Sequence, residues 1–198
     1  MTQHQPTYGF HYREAIVEAY SSMIAEKMDE GREGYFVNFM FNPLPGSRQN
    51  HMDTMRQEVE RVHWTLAKHM IHRPNHRNWA HLRPIFVGGP DLPVFKWNQG
   101  EPNRLAVAND GLHFNIVALL PRPSPAILPS GIQNRLWGLQ SRLKVPLDQH
   151  FRDRSRFYLN DRLARIHVTP VSYGTMADYA LKAFKSGRMD EDSILVLN

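Results

Sequence analysis

The stretch GLHFNIVALLP, residues 111–121, decides the fold that the sequence predicts. Its continuous apolar run, bounded by a glycine and a proline, is typical of a buried strand. Side chains in a strand alternate between two faces, so His113 and Asn115 share one face while Phe114 lies on the other. A polar pair on one side of an apolar strand makes that face of the sheet a candidate for a functional site.

Hydrophobic periodicity predicts the elements on both sides of this strand. Helical spacing predicts helices over 12–30, 48–72, 132–143 and 176–185, and alternation predicts strands within 35–42 and 165–172. Residues 81–97 are predicted to form one or two short strands broken by glycines and prolines, and 145–164 a loop or broken helix.

This order predicts an α+β protein with a central antiparallel sheet of about five strands. Helices are expected to pack on one face, in a ferredoxin-like sandwich whose other face is partly open. Residues 1–32 are predicted to form an N-terminal helical arm, and residues 33–198 a single α+β domain.

The composition limits the classes of function. Hydrophobic residues make up 41% of the 198 residues, which is enough for a core. The absence of cysteine excludes disulfides, cysteine-ligated zinc and thiol catalysis. The first residues lack the features of a signal peptide, and the apolar run Ile116–Leu120 is too short to span a bilayer. We therefore expect a soluble, cytoplasmic protein with no membrane partner, whose oligomeric state is open.

Basic residues are concentrated in one half of the chain. Residues 122–188 contain 12 Lys or Arg and 4 Asp or Glu, whereas the remainder contains 12 and 15. Such asymmetry is typical of a nucleic-acid-binding protein, although a solvated basic surface is the alternative. The candidate nucleic-acid contacts are Asn38, Arg152, Arg154, Arg156, Arg165 and Lys185. Aromatic residues among these arginines, including Phe151, Phe157 and Tyr158, would either stack on unpaired bases or belong to the core.

Polar residues are predicted to converge on the second face of the sheet. If the strands are neighbours, Asn38, His113, Asn115, Arg165 and His167 meet there. Imidazole and amide oxygen ligands at such a point suit a divalent ion that polarises a phosphate. The alternative is a hydrogen-bonded histidine on a half-buried strand.

A second candidate group lies in DYALKAFK, residues 178–185. On a helix Tyr179 and Lys182 share a face, and the packing face is formed by Ala177, Ala180, Leu181 and Phe184. A cation beside a tyrosine stabilises the phenolate, which makes the tyrosine a candidate nucleophile. The alternative is a tyrosine at the rim of the core beside a solvated lysine. The histidines between 63 and 81 are read as solvated helix-end residues rather than zinc ligands.

The order of YFVNFMFN (35–42), GLHFNIVALLP and DYALKAFK resembles that of the three motifs of rolling-circle replication initiators, or Rep proteins, the His-hydrophobe-His endonucleases. The resemblance covers residues 33–186 at the level of pattern. It implies a Rep-like sheet that presents Mg²⁺ or Mn²⁺ to single-stranded or origin DNA, and a tyrosine that forms a 5′-phosphotyrosine bond. By this resemblance His113 is a metal ligand, Asn115 replaces the second ligand, Tyr179 is the nucleophile and Lys182 its orienting cation.

The sequence departs from the family at Asn115, where most members have histidine or glutamine. An amide oxygen is a weak ligand for a borderline metal but an acceptable one for Mg²⁺. Candidates for a third ligand are Asp91, Glu101 and His167, and His167 is the one included in the predicted metal site. A non-catalytic nucleic-acid-binding relative and an unrelated α+β interaction domain remain as alternatives.

Overall fold

The computed structural model describes residues 8–71, 73–92, 111–121, 143, 145–171 and 176–198. The helices are α1 (Tyr8–Asp29), α2 (Arg48–Met70), α3 (Leu147–Asp153), α4 (Ser155–Tyr158), α5 (Met176–Ala180) and α6 (Lys182–Lys185), with 3₁₀ turns at Arg77–Leu82 and Glu191–Ser193. The strands are β1 (Arg32–Phe41), β2 (Ile85–Asp91), β3 (Leu112–Pro121), β4 (Leu163–Pro170) and β5 (Leu195–Leu197). The helix predicted over 132–143 falls almost entirely outside the described residues.

The five strands form one antiparallel sheet in the order β4-β1-β3-β2-β5. The strand that carries His113 and Asn115 is therefore the central one, with β1 and β2 as its neighbours. The predicted α+β class and antiparallel sheet are confirmed. None of the described helices is long and apolar enough to cross a membrane.

Helix α2 covers the face of the sheet that carries Phe114, which we call the first face; the second face carries His113 and Asn115. Ser47 caps its N-terminus, where the hydroxyl oxygen accepts a hydrogen bond from the Asn50 amide at 3.3 Å. One apolar stripe of α2 meets alternate side chains of the strands, including Phe39 of β1 and Phe114 of β3, in the main core. Burial of each such side chain contributes about 1.5–3 kcal/mol, which makes this face the main source of stability.

Helices also pack on the second face, beyond the one-face packing expected from the sequence. Val87 of β2 and Val117 of β3 are buried there against Ile24 of α1 and Ala180 of α5. Because β2 and β3 are apolar on both sides along much of their length, both faces must be covered. The N-terminal helix, expected as an arm, thus packs on the sheet. Residues of β4 on this face remain exposed.

Strand β2 runs without interruption through Gly88, Gly89 and Pro90, which were expected to break it. Gly88 permits this because a Cβ there would lie 1.9 Å from the backbone oxygen of Asn115. Pro90 lies beyond the residues of β2 that pair with β5, where a missing N–H is tolerated. Strand β5 was not expected, since three residues are too few for a visible alternation.

A buried tyrosine joins α2 to the segment α3–α4. The Tyr158 hydroxyl lies 2.7 Å from His69 Nδ1 and 2.8 Å from His150 Nε2. One hydroxyl proton serves a single acceptor, so Tyr158 donates to one imidazole and accepts from the other. Burial raises the pKa of Tyr158 far above its usual value. His63, also buried, binds the Pro84 carbonyl at 2.8 Å, so His63 and His69 are structural rather than solvated.

The Tyr158 network predicts acid sensitivity. Burial lowers the pKa of His150 from 6.5 to about 4, and the nearby His69 and Arg154 act in the same direction. At a pH between these two values, His150 binds a proton in the unfolded chain but not in the folded chain. The stabilising contribution of the neutral His150 is therefore fully present above the unfolded pKa, and about 3 kcal/mol of it is lost as the pH drops toward the folded pKa.

Urea unfolding at neutral and acidic pH checks this expectation. His150→Gln removes the titrating group and should reduce the acid-induced loss relative to the wild type. The exposed His81→Gln serves as the control and should leave that loss unchanged. An acid-induced loss in His150→Gln as large as that of the wild type would show that His150 does not cause it.

Candidate functional site

Two rows of residues cross the second face of the sheet. In the first row, Asn38 of β1 is the direct partner of His167 of β4 on one side and of Asn115 of β3 on the other. In the second row, His113 is the direct partner of Asp91 in β2. The second row continues through Met40 to Arg165. Antiparallel pairing thus gathers on one face the polar residues that alternation assigned to it.

The centre of these rows holds a buried amide. His113 Nδ1 lies 3.2 Å from Asn38 Oδ1, and both side chains are half-buried. Asn115 is only 1% exposed, and its Oδ1 has no hydrogen-bond partner among the described residues. A buried carbonyl oxygen without a partner is costly, so a bound cation or donor at this point would stabilise it.

Asp91 forms a charged cluster at the end of the second row. Its carboxylate, 3% exposed, lies 2.5 Å from Lys182 Nζ and 3.5 Å from Arg188 Nη1. Sequence reasoning considered Asp91 only as a third metal ligand and did not identify Arg188. The other two candidates for that role differ in their placement: Glu101 falls outside the described residues, and His167 is exposed on β4. Over the described ranges, no group of three or more His, Asp or Glu is placed to hold a metal.

Tyr179 stands over this same face. Its ring makes a T-shaped contact with Phe36 at 5.0 Å, and Phe36 shares a side of β1 with Asn38. Lys182 Nζ lies 4.8 Å from the centre of the Tyr179 ring. Lys182 therefore connects Tyr179 to Asp91. The tyrosine is 50% exposed, so a large substrate can approach its side chain.

The predicted helix over 176–185 is divided into α5 and α6 at Leu181, whose backbone angles (φ −105°, ψ 17°) depart from helical values. The apolar side chains of this segment are buried as expected. The division keeps Tyr179 and Lys182 together. Gly187, with φ of +73°, ends α6 as predicted.

The six candidate nucleic-acid contacts lie in three different places. Asn38 and Arg165 lie in the rows described above. Arg152, Arg154 and Arg156 are exposed on α3–α4, whose apolar side chains belong to the core of the first face. Lys185 forms an ion pair with Asp178 at 3.0 Å. The structure thus brings two of these residues to the site and places three arginines at another surface.

Comparison with protein-family models, with curated proteins and with solved structures yields no match. The function of the protein is therefore inferred from the site itself.

The Asp91–Lys182 pair is expected to couple strongly. Because Asp91 is buried and Lys182 is about two-thirds buried, a double-mutant cycle of Asp91→Asn and Lys182→Met should give a coupling of about 1–3 kcal/mol. The more exposed pair Asp178–Lys185 is the matched control, with an expected coupling of about 0.5 kcal/mol. Thermal or urea unfolding measures both couplings. Equal couplings in the two cycles would contradict a buried anchor at Asp91.

Proposed function

We propose that the protein nicks and joins single-stranded DNA at a replication origin, with Tyr179 as the nucleophile and a divalent metal as cofactor. The observation that carries this proposal is the placement of Tyr179 and Lys182 over the sheet face that holds Asn38, His113 and Asn115. A half-exposed tyrosine side chain with a cation beside its ring is the arrangement that a nucleophilic tyrosine needs.

The buried amide oxygen of Asn115 is the kind of ligand that a hard cation prefers. The Asn115 Oδ1 is a buried oxygen without a hydrogen-bond partner in the described part of the chain, and His113 lies on the same face two residues away. Asn115 and His113 would hold Mg²⁺ or Mn²⁺, with exposed His167 as a further candidate ligand. When bound, the metal would withdraw negative charge from the scissile phosphate.

The protein residues supply the remaining chemistry. The Tyr179 oxygen attacks the phosphorus, so an O–P bond forms, and the bond from phosphorus to the 3′ oxygen breaks. The phenol proton is lost to solvent, and the departing oxygen takes up a proton to give a free 3′-hydroxyl. Lys182 stabilises the negative charge that develops on the phenol, while Asp91 positions Lys182. Reversal of the same step joins the strand.

A non-catalytic single-strand-binding protein is the second candidate. Two observations favour it: Asp91 is already occupied by Lys182 and Arg188, and Asn115 is almost fully buried. Both reduce the number of ligands that a metal can use. A protein with this second function would bind DNA with the basic surface and the exposed strand β4, but it would not cleave the DNA.

Cleavage of end-labelled oligonucleotides separates the two functions. The protein is incubated with single-stranded origin-derived oligonucleotides and Mn²⁺, with EDTA and matching duplexes as controls. The proposal predicts metal-dependent cleavage of single strands that leaves a 3′-hydroxyl, which a polymerase can extend. Salt-sensitive binding without cleavage would support the second candidate. The absence of both binding and cleavage would support an unrelated interaction domain.

A further inference from the structure

An aromatic side chain lies exposed on the segment that precedes β4. Phe157 of α4 is 44% exposed, whereas its neighbour Tyr158 is fully buried. The Arg156 guanidinium carbon lies 4.8 Å from the centre of the Phe157 ring, and the His69 ring approaches at 5.5 Å. The exposed ring is thus bordered by a cation on a surface that the candidate site does not include.

The backbone beneath this ring is firmly held. Arg61 of α2 donates to the carbonyl oxygens of Phe157 at 3.3 Å and Tyr158 at 2.5 Å. Arg61 is itself fixed by the buried Glu58 at 2.8 Å, and Asn160 donates to the same carboxylate at 2.9 Å. The exposure of Phe157 is therefore a property of an anchored turn, which allows the ring to serve as a preformed stacking surface.

The charge around Phe157 indicates the kind of ligand. Residues 145–165 contain five arginines and three aspartates. Arg152 is paired with Asp148 at 2.7 Å, but Arg154 and Arg156 form no ion pair within the described residues. Unpaired arginines beside an exposed aromatic ring match a single-stranded nucleic acid, whose bases stack on the ring while its phosphates contact the cations.

We infer that Phe157 and Arg156 form a stacking site for an unpaired base of single-stranded DNA, separate from the Tyr179 site. This inference rests on the proposed function for its choice of ligand. Strand β4 forms the edge of the sheet, with Arg165 on the face of Tyr179 and the α3–α4 segment before its first residue. The edge strand β4 therefore lies between the two sites, and a DNA strand that occupied both would pass around it.

The test measures binding of fluorescent oligothymidylate by anisotropy. Phe157→Ala should weaken binding about five- to hundredfold, and Phe157→Leu should do the same because it keeps the apolar bulk without a π face. Phe157→Trp should bind as the wild type does. The salt dependence of binding should be unchanged in these variants, whereas Arg156→Gln should reduce its slope by about one.

Trp64→Ala is the matched control, because Trp64 is also exposed and has an arginine, Arg83, at 5.8 Å from its ring centre. Its expected affinity is that of the wild type. The inference is overturned if Phe157→Ala binds normally, or if Trp64→Ala weakens binding equally. Circular dichroism establishes folding, and Phe157→Leu replaces Phe157→Ala in the comparison if the alanine variant unfolds.

Measuring DNA cleavage by the wild type and by Phe157→Ala distinguishes a failure of this inference from a failure of the proposed function. If Phe157→Ala needs more DNA but reaches the wild-type cleavage rate at saturation, both stand. If the wild type binds through Phe157 but never cleaves, only the nuclease proposal fails. If the wild type cleaves and Phe157→Ala binds normally, only the stacking site fails.

Discussion

Replacement of Tyr179 by phenylalanine is expected to reduce cleavage of single-stranded DNA at least about a thousandfold, because it removes the only atom that forms the bond to phosphorus. The contacts of the ring with Phe36 and Lys182 do not involve the hydroxyl, so they should persist in the variant. Affinity for the oligonucleotide and thermal stability should therefore match those of the wild type. Loss of cleavage with binding retained would assign a chemical role to this hydroxyl.

Tyr12→Phe provides the matched control for this variant. Tyr12 is another exposed tyrosine, whose hydroxyl donates to Glu191 at 2.6 Å. Its replacement should leave cleavage unchanged. If Tyr179→Phe cleaves as fast as Tyr12→Phe, then Tyr179 is not the nucleophile.

Gly88→Ala is expected to have the largest effect on stability. The added Cβ would lie 1.9 Å from the Asn115 oxygen and 2.8 Å from the Ile116 Cα, and both atoms belong to the backbone of β3. Relief of this clash requires β2 to move away from the central strand, at a cost of about 3 kcal/mol or more. Because Asn115 is displaced in the same movement, cleavage should also be lost.

Gly89→Ala is the control in the adjacent position. A Cβ there would meet only the Ser193 oxygen at 3.6 Å, which is an ordinary contact. Its unfolding free energy should stay within about 1 kcal/mol of the wild type. Urea denaturation measures both variants. Similar stabilities for Gly88→Ala and Gly89→Ala would refute the close approach of β2 to β3.

The sheet and the faces of its strands were predictable because a period of two is a strong local signal. Alternation placed Asn38, His113 and Asn115 on one side, and the structure makes them neighbours in adjacent strands. The packing of α1 on the sheet was not predictable in the same way, since helical periodicity indicates an apolar face but not its partner. The passage of β2 through Gly88 was missed because glycine usually weakens strands.

The charged part of the site depended on tertiary contacts that spacing does not encode. Asp91 and Lys182 are far apart in the sequence, and only the packing of α6 near the end of β2 brings them together. Phe157 and Tyr158 are adjacent aromatics in a similar local sequence, yet one is exposed and the other buried. Their difference follows from the orientation of a single turn against α2.

The central claim is that Tyr179 becomes covalently attached to DNA. Mass spectrometry of tryptic peptides after reaction with single-stranded DNA and Mn²⁺ tests it directly, because residues 166–182 form one peptide that contains Tyr173 and Tyr179. Our account predicts a nucleotide attached through phosphate to Tyr179, present with Mn²⁺ and absent with EDTA. Attachment at Tyr173, or cleavage without any attached nucleotide, would contradict it.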